Sequence, residues 1–284
     1  MPKRPDLESV ARLICEKIGL NFGARCGGGA FKESFRVATK AGEPRALKVY
    51  QLDSVSPRTQ REVDAIKKCS HANIVRLDYI DQCDVAGARY TFSVEEFLSG
   101  GTLTSRLAGG TLSATATHEL GEKLISAVAH IASHGLVHRD LKPDNIMFRG
   151  DPEPVIVDFG LVRDLGLSSL TKTWQMQGPG TPYFAAPEQL NNEKQLIDWR
   201  ADQFALGLVL GLCATARHAW ARNTSTQQEV VESLASRRGP APEFISAVNA
   251  AGLPVIGRMV RPWPVERFRT PDDLGRAWHE QTKG

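Results

Sequence analysis

An α+β fold in two lobes is the architecture this chain predicts. Strand-type runs crowd the first hundred or so residues, and helical periods take over after Gly100-Gly101. No internal repeat or low-complexity tract interrupts either half. With 284 residues the chain suits one large domain or two small ones. A chain of this size buries roughly 75% of its unfolded surface, so a sizeable core is available.

The elements follow in order. Residues Leu7 to Ile18 carry apolar side chains at Leu7, Val10, Leu13, Ile14 and Ile18, which is helical spacing. A glycine cluster, Gly27-Gly28-Gly29, comes next. Ser34 to Ala38 and Arg45 to Leu52 read as strands joined by a turn at Lys40 to Pro44. Ser56 as N-cap and Pro57 at the first helical position predict a helix to about Cys69, with Val63 and Ile66 inward. Ile74 to Ile80 and Arg89 to Phe97 are further strands. Helical periods then run over His118 to His134, Ala201 to Thr215, Gln227 to Ser236, Glu243 to Ala250 and Pro271 to Gln281. The change of pattern puts a hinge near Phe97 to Ser99, dividing an N-lobe of about residues 1–98 from a C-lobe of about residues 99–284.

Composition narrows the class. Hydrophobic residues are 42% and charged residues 24%, ordinary for a globular protein. Lys+Arg at 35 against Asp+Glu at 32 leaves +3, which gives no support for a nucleic-acid partner. No apolar run reaches the roughly 18 residues of a membrane span. The N-terminal Met1-Pro2-Lys3-Arg4-Pro5-Asp6 lacks a signal-peptide core. The 5 cysteines are scattered without a C-x-x-C pair, which points to reduced thiols in the cytoplasm and away from a disulfide framework or a zinc site.

The chemistry concentrates in His138-Arg139-Asp140-Leu141-Lys142-Pro143-Asp144-Asn145. Asp158-Phe159-Gly160 begins 13 residues after Asn145, and Ala186-Pro187-Glu188 follows. Three motifs in this order and spacing resemble the protein-kinase signature set. The chain resembles the Hanks-type serine/threonine protein kinases, in the compact form of a bacterial or phage member, from about Phe22 to Trp278. The resemblance implies a bilobal kinase fold: a small antiparallel sheet with one main helix, then a larger helical lobe. It also implies ATP and Mg²⁺ as cofactors and proteins as substrates, while the charge balance and the lack of a long apolar run predict no nucleic-acid and no membrane partner.

The resemblance assigns roles residue by residue. Asp140 takes or orients the proton of the incoming hydroxyl. Asn145 and Asp158 supply hard oxygen ligands to Mg²⁺, and Lys142 reaches the γ-phosphate. Lys48, in Ala46-Leu47-Lys48-Val49, grips the α- and β-phosphates, with Glu62 as its helix partner. Asp64 and Glu33 are other acids near enough in sequence to compete for it. Gly27, Gly28, Gly29, Ala30 and Phe31 form the phosphate loop, although Lys32 replaces its third glycine and Ser34 stands where a valine usually covers the adenine. Glu96 and Leu98 read the adenine edge through backbone groups, and Ala46 and Met147 cover its faces. Glu95 falls at the back-pocket position, where an acid is unusual. Either the register is off by one or Glu95 pairs locally. Asp202 braces the catalytic loop, Glu188 and Arg267 form a buried pair, and His138 is a core residue.

Lys142 and Gly180-Thr181-Pro182-Tyr183 resemble serine/threonine-directed enzymes, not tyrosine-directed ones. Arg139 and Ala186-Pro187-Glu188 separate the chain from small-molecule phosphotransferases of the antibiotic-kinase group. Arg139 also implies control by autophosphorylation between Ser168 and Thr173. The alternative reading is a pseudokinase acting as a nucleotide-binding or scaffold module, which the altered glycine loop and Glu95 favour. Lys48, Asp140, Asn145 and Asp158 are all present against it.

Overall fold

Asp6 opens the first helix, α1 (Leu7–Ile18), by accepting the Ser9 backbone N–H at 2.9 Å, and Gly19 closes it in the left-handed conformation at φ 73°. A computed structural model describes residues 6–28, 32–50, 67–150, 152–158, 181–222 and 225–281. These residues fall into two compact units. One holds residues 6–28, 32–50, 67–70 and 75–98. The other holds 71–74, 99–150, 152–158, 181–222 and 225–281.

The first unit is an antiparallel five-stranded sheet of order β1-β2-β3-β5-β4, with α1 on one face. The strands are β1 (Asn21–Gly28), β2 (Lys32–Ala38), β3 (Pro44–Tyr50), β4 (Leu77–Val85) and β5 (Ala88–Glu96). Alternation sorts each strand by face. Phe35 and Val37, Leu47 and Val49, and Phe92 and Val94 pack with Val10, Ala11 and Ile14 of α1. Lys48 and Ser93 between them, and Glu95 just after Val94, lie on the opposite face. Two expected boundaries shift. Ile74 makes only an isolated parallel bridge to Ile156, and the strand after it starts at Leu77 and extends to Val85. β1 was not foreseen as a strand. Its glycines and exposed Arg25 and Cys26 show no apolar alternation, and its pairing with β2 breaks register twice. The expected helix from Ser56 falls outside the described residues except at its end.

The second unit is helical: α2 (Leu103–Leu107), α3 (Ala114–Ser133), α4 (Pro187–Leu190), α5 (Trp199–Thr215), α6 (Gln227–Ala235), α7 (Pro242–Ala250), α8 (Val255–Met259) and α9 (Pro271–Glu280). A two-stranded ribbon, β6 (Ile146–Phe148) with β7 (Pro154–Ile156), completes it. α5 is buried almost all round and organises the core. Its two glycines permit close approach. A Cβ on Gly207 would stand 2.8 Å from Met259, and one on Gly211 would stand 2.4 Å from the Phe244 ring. α2, α4, α8 and the ribbon are too short to carry a periodic signal and emerge only here.

His218 is buried in this unit. Its Nε2–H donates to the Tyr183 carbonyl at 2.8 Å, and its Nδ1 accepts the Trp220 N–H at 3.2 Å. Burial lowers its pKa from 6.5 to about 4, so the folded protein keeps it neutral. The unfolded chain takes up the proton first. The stability held by the neutral ring is therefore intact above about pH 6.5 and is lost as pH falls toward about 4. Calorimetry should show Tm declining across that window, and His218→Gln should flatten the decline.

Candidate active site

The loop carrying Asp140 is built by backbone capture. Asp202, in the first turns of α5 and 1% exposed, accepts the His138 N–H at 2.6 Å and the Arg139 N–H at 2.8 Å. That double hold supports Arg139 in the left-handed region at φ 66°, a costly conformation for a residue with a side chain. His138 is fully buried. Its Nδ1 accepts the Asp140 N–H at 3.3 Å, so its proton sits on Nε2 and is donated to the Val157 carbonyl at 3.0 Å. Both ring nitrogens are thereby committed to structure, as expected for a core histidine.

Two side chains meet at the Asp140 carboxylate. Lys142 Nζ lies 3.2 Å from Asp140 Oδ2, and Asn145 Nδ2 donates to the same oxygen at 3.1 Å and to the Asp140 carbonyl at 2.8 Å. With its amide nitrogen spent on Asp140, Asn145 keeps Oδ1 as an oxygen donor. The β6–β7 register sets Ile146 opposite Ile156, and the Val157 N–H donates to the Asn145 carbonyl at 2.9 Å. Asn145 and Asp158 therefore flank the same end of the ribbon. Asp158 is half-buried and left-handed at φ 63°. A carboxylate and an amide oxygen are hard donors of the kind Mg²⁺ takes, so the residues present fit that ion.

The segment after this loop is tied to it. Gln189 Nε2 donates to the Arg139 carbonyl at 3.1 Å, while its Oε1 accepts the Ala186 N–H at 3.2 Å. Glu188 and Arg267 form the expected buried pair, bidentate at 2.7 and 2.9 Å with both side chains fully buried.

In the first unit, Lys48 and Glu95 are both buried, and Lys48 Nζ meets Glu95 Oε2 at 2.5 Å. The β3–β5 register sets Lys48 opposite Ser93, and Glu95 is two residues further along the same face. Ser93 Oγ donates to Glu95 Oε1 at 3.0 Å, and Tyr50 Oη stands 3.4 Å from Ser93 Oγ. Glu95 thus pairs locally, and no register error is needed to explain it. Its role was missed because strand pairing, not sequence spacing, creates the contact. Glu62, Gly29, Ala30 and Phe31 lie outside the described residues. Gly27 and Gly28 end β1, opposite Ser34 and Glu33. Ala46 is half-buried in β3 opposite Glu95. Glu96 accepts the Arg76 N–H through Oε1 at 2.9 Å and returns its own N–H to the Arg76 carbonyl at 3.0 Å, which fixes the end of β5. Leu98 is buried beyond it. In the second unit, Met147 sits in β6 opposite Val155.

Comparison with known proteins matches the protein kinase domain over residues 20–278. The serine/threonine-protein kinase cds1 of Schizosaccharomyces pombe is 27% identical over 250 residues, covering 86% of this chain and 50% of that protein. CBL-interacting serine/threonine-protein kinase 26 of Arabidopsis thaliana is 29% identical over 273 residues, covering 91% of this chain and 58% of that protein. The chain therefore spans about half the length of these curated relatives. No helix among the described residues is long and apolar enough to cross a membrane. With the family match extending over most of its length, with Asp140 and Asn145 on a loop held by Asp202 and with Asp158 just past the ribbon that follows it, the chain belongs to the protein kinase family as a Hanks-type member.

Proposed function

We propose that the chain transfers the γ-phosphate of ATP to serine and threonine hydroxyls of protein substrates. The cluster of Asp140, Lys142 and Asn145 carries this reading. Asp140 accepts or orients the proton of the incoming hydroxyl, and Lys142 steadies negative charge on the group being transferred. Asn145 Oδ1 and Asp158 hold Mg²⁺, which when bound neutralises charge on the phosphate oxygens. In the first unit Lys48 engages the α- and β-phosphates, with Glu62 as its helix partner. The backbone of Gly27 to Phe31 approaches the phosphates. Glu96 and Leu98 offer backbone groups to the adenine edge, while Ala46 and Met147 contact its faces. Preference for serine and threonine rests on Lys142 and Gly180-Thr181-Pro182-Tyr183, and it is what the relatives' names carry. Autophosphorylation between Ser168 and Thr173 belongs to the same proposal, with Arg139 as the phosphate partner.

Incubation with labelled ATP, Mg²⁺ and a generic protein substrate tests the reading. Phosphoserine or phosphothreonine is expected after hydrolysis of the product. Nucleotide binding without transfer would instead identify a pseudokinase. Mg·ATP at a hundredfold excess over Kd should stabilise the fold by about 2.7 kcal/mol, and Asp158→Ala should remove the metal-dependent part of the Tm increase.

Glu95 offers a sharper check on Lys48. Glu95→Gln removes the charge that faces the buried ammonium while keeping side-chain size. Its kcat/KM for ATP should fall by about tenfold or more, the equivalent of about 1.4 kcal/mol per decade. A variant with unchanged ATP kinetics would place the functional anchor of Lys48 elsewhere.

A further inference from the structure

α3 ends in a histidine pair that phosphoryl transfer does not use. His130 lies in the last turn and His134 is the C-cap. A spacing of four residues sets both on one helix face, and their ring centroids are 4.5 Å apart. The Nδ1–H of His134 donates to the His130 carbonyl at 2.9 Å. The proton is therefore fixed on Nδ1, and the lone pair is left on Nε2. This is the arrangement by which a backbone carbonyl orients a metal-binding imidazole. Nε2 of His130 is buried with no hydrogen-bond partner. It is the only imidazole nitrogen in that condition among the described residues. Leaving such an atom unsatisfied is costly unless something binds it.

From these contacts we infer that His130 and His134 form the base of a site for a borderline-soft divalent cation of the zinc class. The ligating nitrogens lie within 4.8 Å of one another. Bonds of about 2.0–2.1 Å to one ion bring them closer by a small ring rotation. His71 is a neighbour and not a ligand. Its ring is 5.4 Å from His130, but its Nδ1 accepts the Asn73 N–H at 3.0 Å and its Nε2 bonds Ser126 Oγ at 3.0 Å. The sequence signal is His-x-x-x-His, which a search for paired cysteines passes over.

The experiment uses the full chain, stripped with a chelator and held in excess Mg²⁺ so that the Asn145 and Asp158 oxygens are not the site measured. Zn²⁺ is titrated by calorimetry, and Co²⁺ serves as a spectroscopic probe. One Zn²⁺ per chain with a rise in Tm is expected, together with visible Co²⁺ absorption of tetrahedral type. His130→Asn and His134→Asn should each weaken Zn²⁺ binding by about tenfold or more. His134→Asn, at the half-buried helix end, serves if His130→Asn does not fold. Equal Zn²⁺ uptake by wild type and the two histidine variants, or no uptake below roughly 100 µM, would overturn the inference.

Discussion

Asp140→Asn is expected to lower phosphoryl transfer by about 10²–10⁴-fold, the usual range for loss of a positioned general base. The substitution keeps the side chain's size and one oxygen near Lys142 Nζ, which stands 3.2 Å from Asp140 Oδ2 in the native loop. It removes the capacity to take a proton. The backbone hold on the loop comes from Asp202 and is untouched, so the fold should survive. Mg·ATP should still raise Tm, because Asp158 and the Asn145 amide oxygen remain. Steady-state turnover on a protein substrate, beside thermal shift with Mg·ATP, separates the two effects. A variant keeping more than about a tenth of wild-type turnover would contradict the role given to Asp140.

Breaking the Glu188–Arg267 pair should produce the largest loss of stability. Arg267 is 1% exposed, and all of its guanidinium donors are used. Two go to Glu188 at 2.7 and 2.9 Å. Nε donates to the Arg261 carbonyl at 2.8 Å, Nη1 to the Arg200 carbonyl at 2.9 Å and Nη2 to the Pro262 carbonyl at 3.1 Å. The guanidinium also lies over the Phe204 ring at 4.6 Å. Burial pulls the Arg267 pKa down, and Glu188 opposes it. Glu188→Ala leaves that charge uncompensated, at a cost of about 3–5 kcal/mol. Arg267→Lys should not rescue it, since an ammonium cannot reproduce the fork that reaches three carbonyls and a carboxylate. The double variant Glu188→Leu/Arg267→Met should lose less than either single charge removal. Denaturant or thermal unfolding of the set checks all three. A Glu188→Ala variant within about 1 kcal/mol of wild type would mean that the pair is not what holds these segments together.

Much of this was legible in the order of residues alone. Residues Leu7 to Ile18 announced α1 because its apolar stripe and caps are local properties. The order from Asp140 through Asn145 and Asp158 to Glu188 was readable because phosphoryl transfer needs particular oxygen and nitrogen donors a few residues apart. Asp202 and the Glu188–Arg267 pair followed from the same pattern, and the structure has both.

Other features depended on which segments pair in space. β1 carries no alternation of its own and becomes a strand only by pairing with β2. α2, α4 and α8 hold too few residues to declare a period. The sequence marked Glu95 only as an acid in an unexpected place. The β3–β5 register brings it to Lys48, 47 residues away in the chain. The histidine pair at the end of α3 could be spaced from sequence, but its significance could not. That Nε2 of His130 is buried without a partner depends on what packs around it. Sequence alone determined the family, the order of its chemical groups and the long amphipathic elements, because those are encoded within a few residues of one another. Tertiary structure decided which buried charge meets which partner and which polar atoms are left for a ligand, because both depend on strand register and close packing between distant segments.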